Sequence, residues 1–145
     1  MITDDFLLFS NAQASVRAAG NYTSTNVLDL GSKRDIGSGE KLEFLVTVDI
    51  AFAGGTSVEF QIITADDAAM STNVTVIGST GAIPEAKLVV GYMNYFDVPN
   101  VAGNGQRYMA LRAVGVGTHT LGSFSARIVK DVVDNKNYAS GWLIQ

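Results

Sequence analysis

A chain of 145 residues has room for one domain of ordinary size, and 47% hydrophobic against 17% charged residues is too apolar for a disordered chain. The net charge of −4 argues against gripping phosphate backbones or anionic membranes, and the absence of cysteine excludes a disulfide scaffold, a thiol nucleophile and a Cys-ligated metal. Fifteen glycines against two prolines point to strands and turns. The longest apolar runs, such as Phe6-Leu7-Leu8-Phe9, fall far short of the ~20 residues that a membrane-spanning helix needs.

The first 20 residues stand outside any strand pattern and read as an arm, polar for the most part but carrying Phe6, Leu7, Leu8 and Phe9. Ala12-Gln13-Ala14 resembles a signal-cleavage site, yet Asp4 and Asp5 precede it where basic residues belong, so no export signal is expected. Residues 25–30 read as a strand closed by Gly31. The strongest signal is 42–52, where Leu42, Phe44, Val46, Val48, Ile50 and Phe52 keep strict period two. Gly54-Gly55 follows, and Val58, Phe60 and Ile62 alternate beyond it, which predicts an antiparallel hairpin.

Asp66 is expected to cap one helical turn over 66–71. Strands are predicted at 73–77, ended by Gly78, Ser79 and Gly81, and at 86–90 and 92–98 on either side of Gly91. A second hairpin is predicted from 106–114 and 120–129 across Gly115-Val116-Gly117, with Phe124, Ala126 and Ile128 on one face of the last strand. If those two strands pair, Arg112 and Arg127 share an outer face. A tail, 131–145, carries Tyr138, Trp142, Leu143 and Ile144, and either folds back or docks on a neighbour. The sum is an all-β domain: an eight-stranded antiparallel jelly-roll-like β-sandwich over about 21–130, with arm and tail.

Catalytic constellations are not apparent. His119 is the sole histidine and is expected in an exposed turn, without a nucleophile elbow to serve and without fellow ligands for a metal. The doublets Asp4-Asp5 and Asp66-Asp67 lack calcium-loop spacing, and the glycine clusters lack the phosphate-binding frame. Arg112 and Arg127 read as a solvated face or as an electrostatic contact to an acidic partner. Tyr92, Tyr95 and Phe96, with Trp142, form a sugar-stacking platform if they share a face, which is the basis of an alternative reading as a carbohydrate-binding module.

Several short motifs resemble one family. They are Met1-Ile2-Thr3-Asp4, Phe9-Ser10, Asn26-Val27-Leu28-Asp29-Leu30-Gly31 with Arg34-Asp35-Ile36-Gly37, Gln106-Arg107-Tyr108-Met109-Ala110-Leu111, and Tyr138-Ala139-Ser140-Gly141-Trp142. Together with Thr64-Ala65-Asp66-Asp67-Ala68 they are similar to the capsid cement, or decoration, proteins of short-tailed bacteriophages. That resemblance implies a structural virion protein on the outer capsid surface, made in the host cytoplasm, with no enzymatic activity and no cofactor; the acidic charge balance argues separately against a nucleic-acid partner. Its implied partners are the major capsid protein and itself, as a homodimer before a trimer. The contact residues expected on this basis are Ile2, Phe6, Leu8, Phe9, Arg112, Arg127, Tyr138, Trp142 and Leu143. The arm either reaches a neighbour or covers an open end of its own sandwich. On the first alternative, removing residues 1–10 abolishes capsid binding and leaves the fold soluble.

Overall fold

The computed structural model describes residues 2–32, 43–97 and 106–130, with side chains from Phe6 onward in the first stretch. Among them run seven strands: β1 (Ile2–Ala14), β2 (Gly20–Thr23), β3 (Leu28–Asp29), β4 (Glu43–Ala65), β5 (Thr75–Pro84), β6 (Met93–Asp97) and β7 (Tyr108–Lys130). A single 3-10 turn, Glu85–Lys87, separates β5 from β6.

The framework is the antiparallel pair of β4 and β7, each 23 residues long, in register from Glu43 opposite Val129 to Ala65 opposite Tyr108. Laid flat, such a ribbon would reach ~75 Å. It does not lie flat. Phe124 sits opposite Val48, and Val48 and Phe60 would be ~40 Å apart on a straight strand. Yet the rings of Phe60 and Phe124 are 5.0 Å apart, centroid to centroid. The ribbon is therefore folded over, and its register shifts all fall between Val48 and Ser57. Gly54 (φ 89°) and Gly117 (φ 83°) supply the left-handed backbone that the fold-over uses.

Folding the ribbon makes two leaves. One has the order β1, β7 (121–130), β4 (43–53), β6; the other has β2 and β3 in one row, then β7 (108–117), β4 (55–65), β5. These eight places in two facing leaves are the jelly roll that the sequence predicts. Alternate residues from both leaves meet in one core that includes Phe9, Phe44, Val46, Phe60, Ile62, Leu111, Phe124 and Ile128. A smaller cluster of Ile63, Ala65, Met70 and Ala110 lies outside the second leaf, where the 66–73 loop covers it.

Several local expectations need correction. Neither predicted hairpin forms: both glycine pairs bend a strand that continues, because only Gly54 of the first pair takes positive φ, where a tight hairpin turn wants it twice. The arm is β1, an edge strand of the first leaf. Of the strand expected at 25–30 only Leu28–Asp29 forms, and β2 lies ahead of it at Gly20–Thr23; the row breaks at Ser24, whose hydroxyl accepts the Leu111 N–H (3.1 Å) that a regular ladder would use. The stretch 86–90 is a 3-10 turn followed by a reverse turn, with Gly91 at φ 80° and Tyr92 N–H donating to the Val89 carbonyl. Asp67, rather than Asp66, organises the 66–71 loop, accepting from Ser71 N–H, Ser71 O–H and Thr72 N–H without a helix.

Candidate functional site

Contact residues are built first from β1, whose pairing with β7 is uneven. Between Thr3 opposite Val129 and Leu8 opposite Arg127, β1 takes five steps where β7 takes two. The surplus is extruded as a bulge, and Phe6 on it is 88% exposed. Leu8 is half-buried, and its carbonyl accepts from Asn26 Nδ2 at 3.0 Å. Phe9 faces the other way, into the core, 5.6 Å from the Phe44 ring, so it is a packing residue and not a contact. Ile2 pairs with Lys130 along the backbone. Tyr138, Trp142 and Leu143 lie outside the described residues.

The two arginines are not brought together. Arg112 follows Leu111 on the second leaf and Arg127 precedes Ile128 on the first, and each points away from the shared core. Strands 106–114 and 120–129 are two halves of β7 on opposite leaves, which is why no common face exists. Arg112 is committed to a lateral chain: its Nε and Nη2 donate to Gln61 Oε1 at 2.8 and 2.6 Å. Gln61 Nε2 then donates to Glu59 (2.8 Å), which also accepts from the Ser79 hydroxyl. Those bonds, Gln61 first, hold the Glu59 carboxyl below its ordinary range.

The aromatic platform does not assemble either. Tyr92 and Phe96 pack on the core, Phe96 against Phe44 at 5.3 Å, whereas Tyr95 is 49% exposed. Alternation along β6 puts neighbouring rings on opposite faces.

His119 is the largest departure from expectation. It is buried, not exposed, and sits where the ribbon folds over. Its backbone exchanges both hydrogen bonds with Arg17, at 2.9 and 3.0 Å. The imidazole stands edge-on to Phe52 (5.5 Å) and lies directly against the backbone of Gly55. Glu85 Oε2 lies 3.5 Å from Nδ1 and accepts the Gly55 N–H. Gly55 leaves the volume that the ring fills, and Gly115 leaves room for the Tyr22 hydroxyl beside it, a signal present in the sequence but readable only once the two bends are superposed. Among the described residues no three His, Asp or Glu side chains gather as a metal site.

An exposed clamp closes the far end of the second leaf. Asp29 accepts from Arg107 Nε and Nη2 at 2.8 and 2.7 Å, and from Gly31 N–H at 2.8 Å. The Arg107 bonds, then Gly31, bring the Asp29 carboxyl down to about 2. An unfolded Asp titrates near 3.9, so the clamp contributes its stability above that pH and loses it as pH falls toward 2. Melting curves of wild type and Asp29→Asn should therefore differ at pH 7 and converge by about pH 2. A constant difference across that range would remove the clamp from the acid response.

Residues 9–128 match a family model described as Bbp16. Among curated proteins no match is found. Among the described residues no helix is long and apolar enough to cross a membrane.

Proposed function

The chain belongs to the Bbp16 family, and on that footing we propose that it is a phage cement protein that seats on the outer surface of a capsid shell and stabilises it against internal DNA pressure. The family's name hints at a phage protein, and the family match covers most of both leaves. The observation that carries the contact itself is Phe6, an aromatic side chain 88% exposed on a bulge anchored at both ends to β7. A large ring so exposed on a short, anchored bulge is suited to filling a pocket on another protein.

A shell under pressure is loaded at the boundaries between its capsomers. A rigid double-leaf domain touching two of them buries area that exists only in the assembled shell, and repetition around the shell adds avidity without strong single contacts. Phe6, Leu8 and Arg127 supply the contact from the first leaf, and Arg112 gives a separate polar contact from the second. The proposal contains no catalytic step and no cofactor. A homodimer is its preferred assembly, because a two-fold axis sets identical patches on two capsomers; a trimer is the second choice.

The test is sedimentation of the purified chain with undecorated, expanded capsids. A fixed ratio of bound chain to major capsid protein, with a raised capsid melting temperature, is the expected result. Phe6→Ser should weaken that binding about 30-fold or more, the range of a hot-spot residue, with its own melting temperature unchanged. A folded chain that leaves the capsid supernatant undepleted overturns the reading.

A further inference from the structure

Among the described residues four edges bound the two leaves, and three of them are unsuited to further pairing. β1 is bulged at three places and turns through Ala12 at φ 46°. β5 has two register shifts against β4 and ends in Pro84. The row of β2 and β3 is broken at Ser24. β6 differs: its five pairs with β4, Glu43 opposite Asp97 through Thr47 opposite Met93, run without a shift. The sequence from Leu88 to Phe96 holds no charged residue, and Met93 (52%) and Tyr95 (49%) are exposed. Up to Asp97, its last residue, this edge is regular and uncharged and lacks the bulges, prolines and charged side chains that normally keep strands apart.

We propose that β6 pairs antiparallel with β6 of a second copy across a two-fold axis at Asn94. Backbone directions fix which residues can take part. Val48 N–H donates to the Tyr92 carbonyl, so in the unbroken ladder Tyr92, Asn94 and Phe96 turn their backbone groups toward β4. Met93 and Tyr95 turn theirs to the open side. An axis at Asn94 sets each Met93 opposite the other copy's Tyr95, exchanging both backbone bonds. The outer face gains two thioether–aromatic contacts, and the inner face sets Tyr92 opposite Phe96. Asp97 falls opposite Gly91, so two chains of net charge −4 approach without facing acids. An axis at Tyr95 would set Met93 against Asp97 instead. The first leaves of the two copies then form one continuous sheet.

This takes from the capsid reading only its preference for a pair of copies, and it is tested without capsids. Light scattering after size exclusion should give the mass of two chains. Tyr95→Pro removes an N–H that points to the open side, a position where an edge strand tolerates proline, and should abolish the dimer with the fold retained. The chain lacks cysteine, so Asn94→Cys offers one thiol per copy. Non-bonded antiparallel pairs lie ~4.5 Å apart at Cα, within disulfide reach, so Asn94→Cys should oxidise to a linked dimer and Tyr95→Cys should not. A single-chain mass overturns the proposal, including the case in which a strand of a different protein takes this edge. So does a dimer that survives Tyr95→Pro, or one that links through Tyr95→Cys instead of Asn94→Cys. A dimer that ignores capsids would overturn the capsid reading alone.

Discussion

Gly55→Ala should destabilise the protein by roughly 3 kcal/mol, a fall of about 6–12 °C in melting temperature. Its Cβ would stand 2.0 Å from Cε1 and 2.3 Å from Nδ1 of His119, and the imidazole has nowhere to go. Phe52 blocks one side, and the backbone bonds to Arg17 fix the strand that carries the ring. Moving β4 instead would break the Gly55 N–H bond to Glu85. Gly55 does not take positive φ, so the penalty is steric and not conformational. Pairing the substitution with His119→Ala separates these causes. The double variant should be more stable than Gly55→Ala alone, with a coupling of about 1–3 kcal/mol in a double-mutant cycle. Strict additivity would show that the imidazole is not what excludes the methyl group.

Removing residues 1–10 should be more damaging still. The truncation takes out Phe9, 1% exposed, and strips β7 of its partner along one edge of the first leaf. Losing a buried Phe alone costs about 3–5 kcal/mol, against a total stability of about 5–15 kcal/mol for a typical domain. The shortened chain should lack a cooperative melting transition and accumulate as insoluble protein. A soluble chain melting within a few degrees of wild type would return these residues to the status of a detachable arm. Phe6→Ser, by contrast, lies at an exposed position where substitutions usually stay within about ±0.5 kcal/mol. Contact and fold are thus separable at neighbouring residues, Phe6 and Phe9, though not by truncation.

Period-two alternation made the strands legible, and the inward faces it assigned to Phe44, Val46, Val48, Phe60, Phe124, Ala126 and Ile128 are those of the core. What alternation does not encode is whether a glycine between two strands reverses the chain or bends it. Gly54-Gly55 and Gly115-Val116-Gly117 read as hairpin turns locally, and only the long-range register of β4 on β7 decides otherwise. From that one ambiguity came the misplaced Arg112 and Arg127 and the exposed setting expected for His119. The bulges of β1 hid it in a similar way, because extra residues scramble alternation in a strand that is nevertheless paired. Phe6 is legible as an apolar side chain in the arm, and β6 as a strand at 92–98 that carries aromatic rings; its character as an edge shows in the sequence only through the absence of charge along Leu88–Phe96.

The place of β7 in the sheet also has a consequence for biosynthesis. β1, β2, β3 and β4 all pair with it, and Glu43 finds its partner at Val129. A nascent chain still waiting for β7 to leave the ribosome holds those strands with a missing neighbour, and neither leaf can close. Assembly of the domain therefore waits for β7 and is dominated by contacts distant in sequence, a topology that folds on the order of milliseconds to seconds. During that interval the apolar stretches of β1 and β4 are available to chaperones, or to one another on adjacent polysomes.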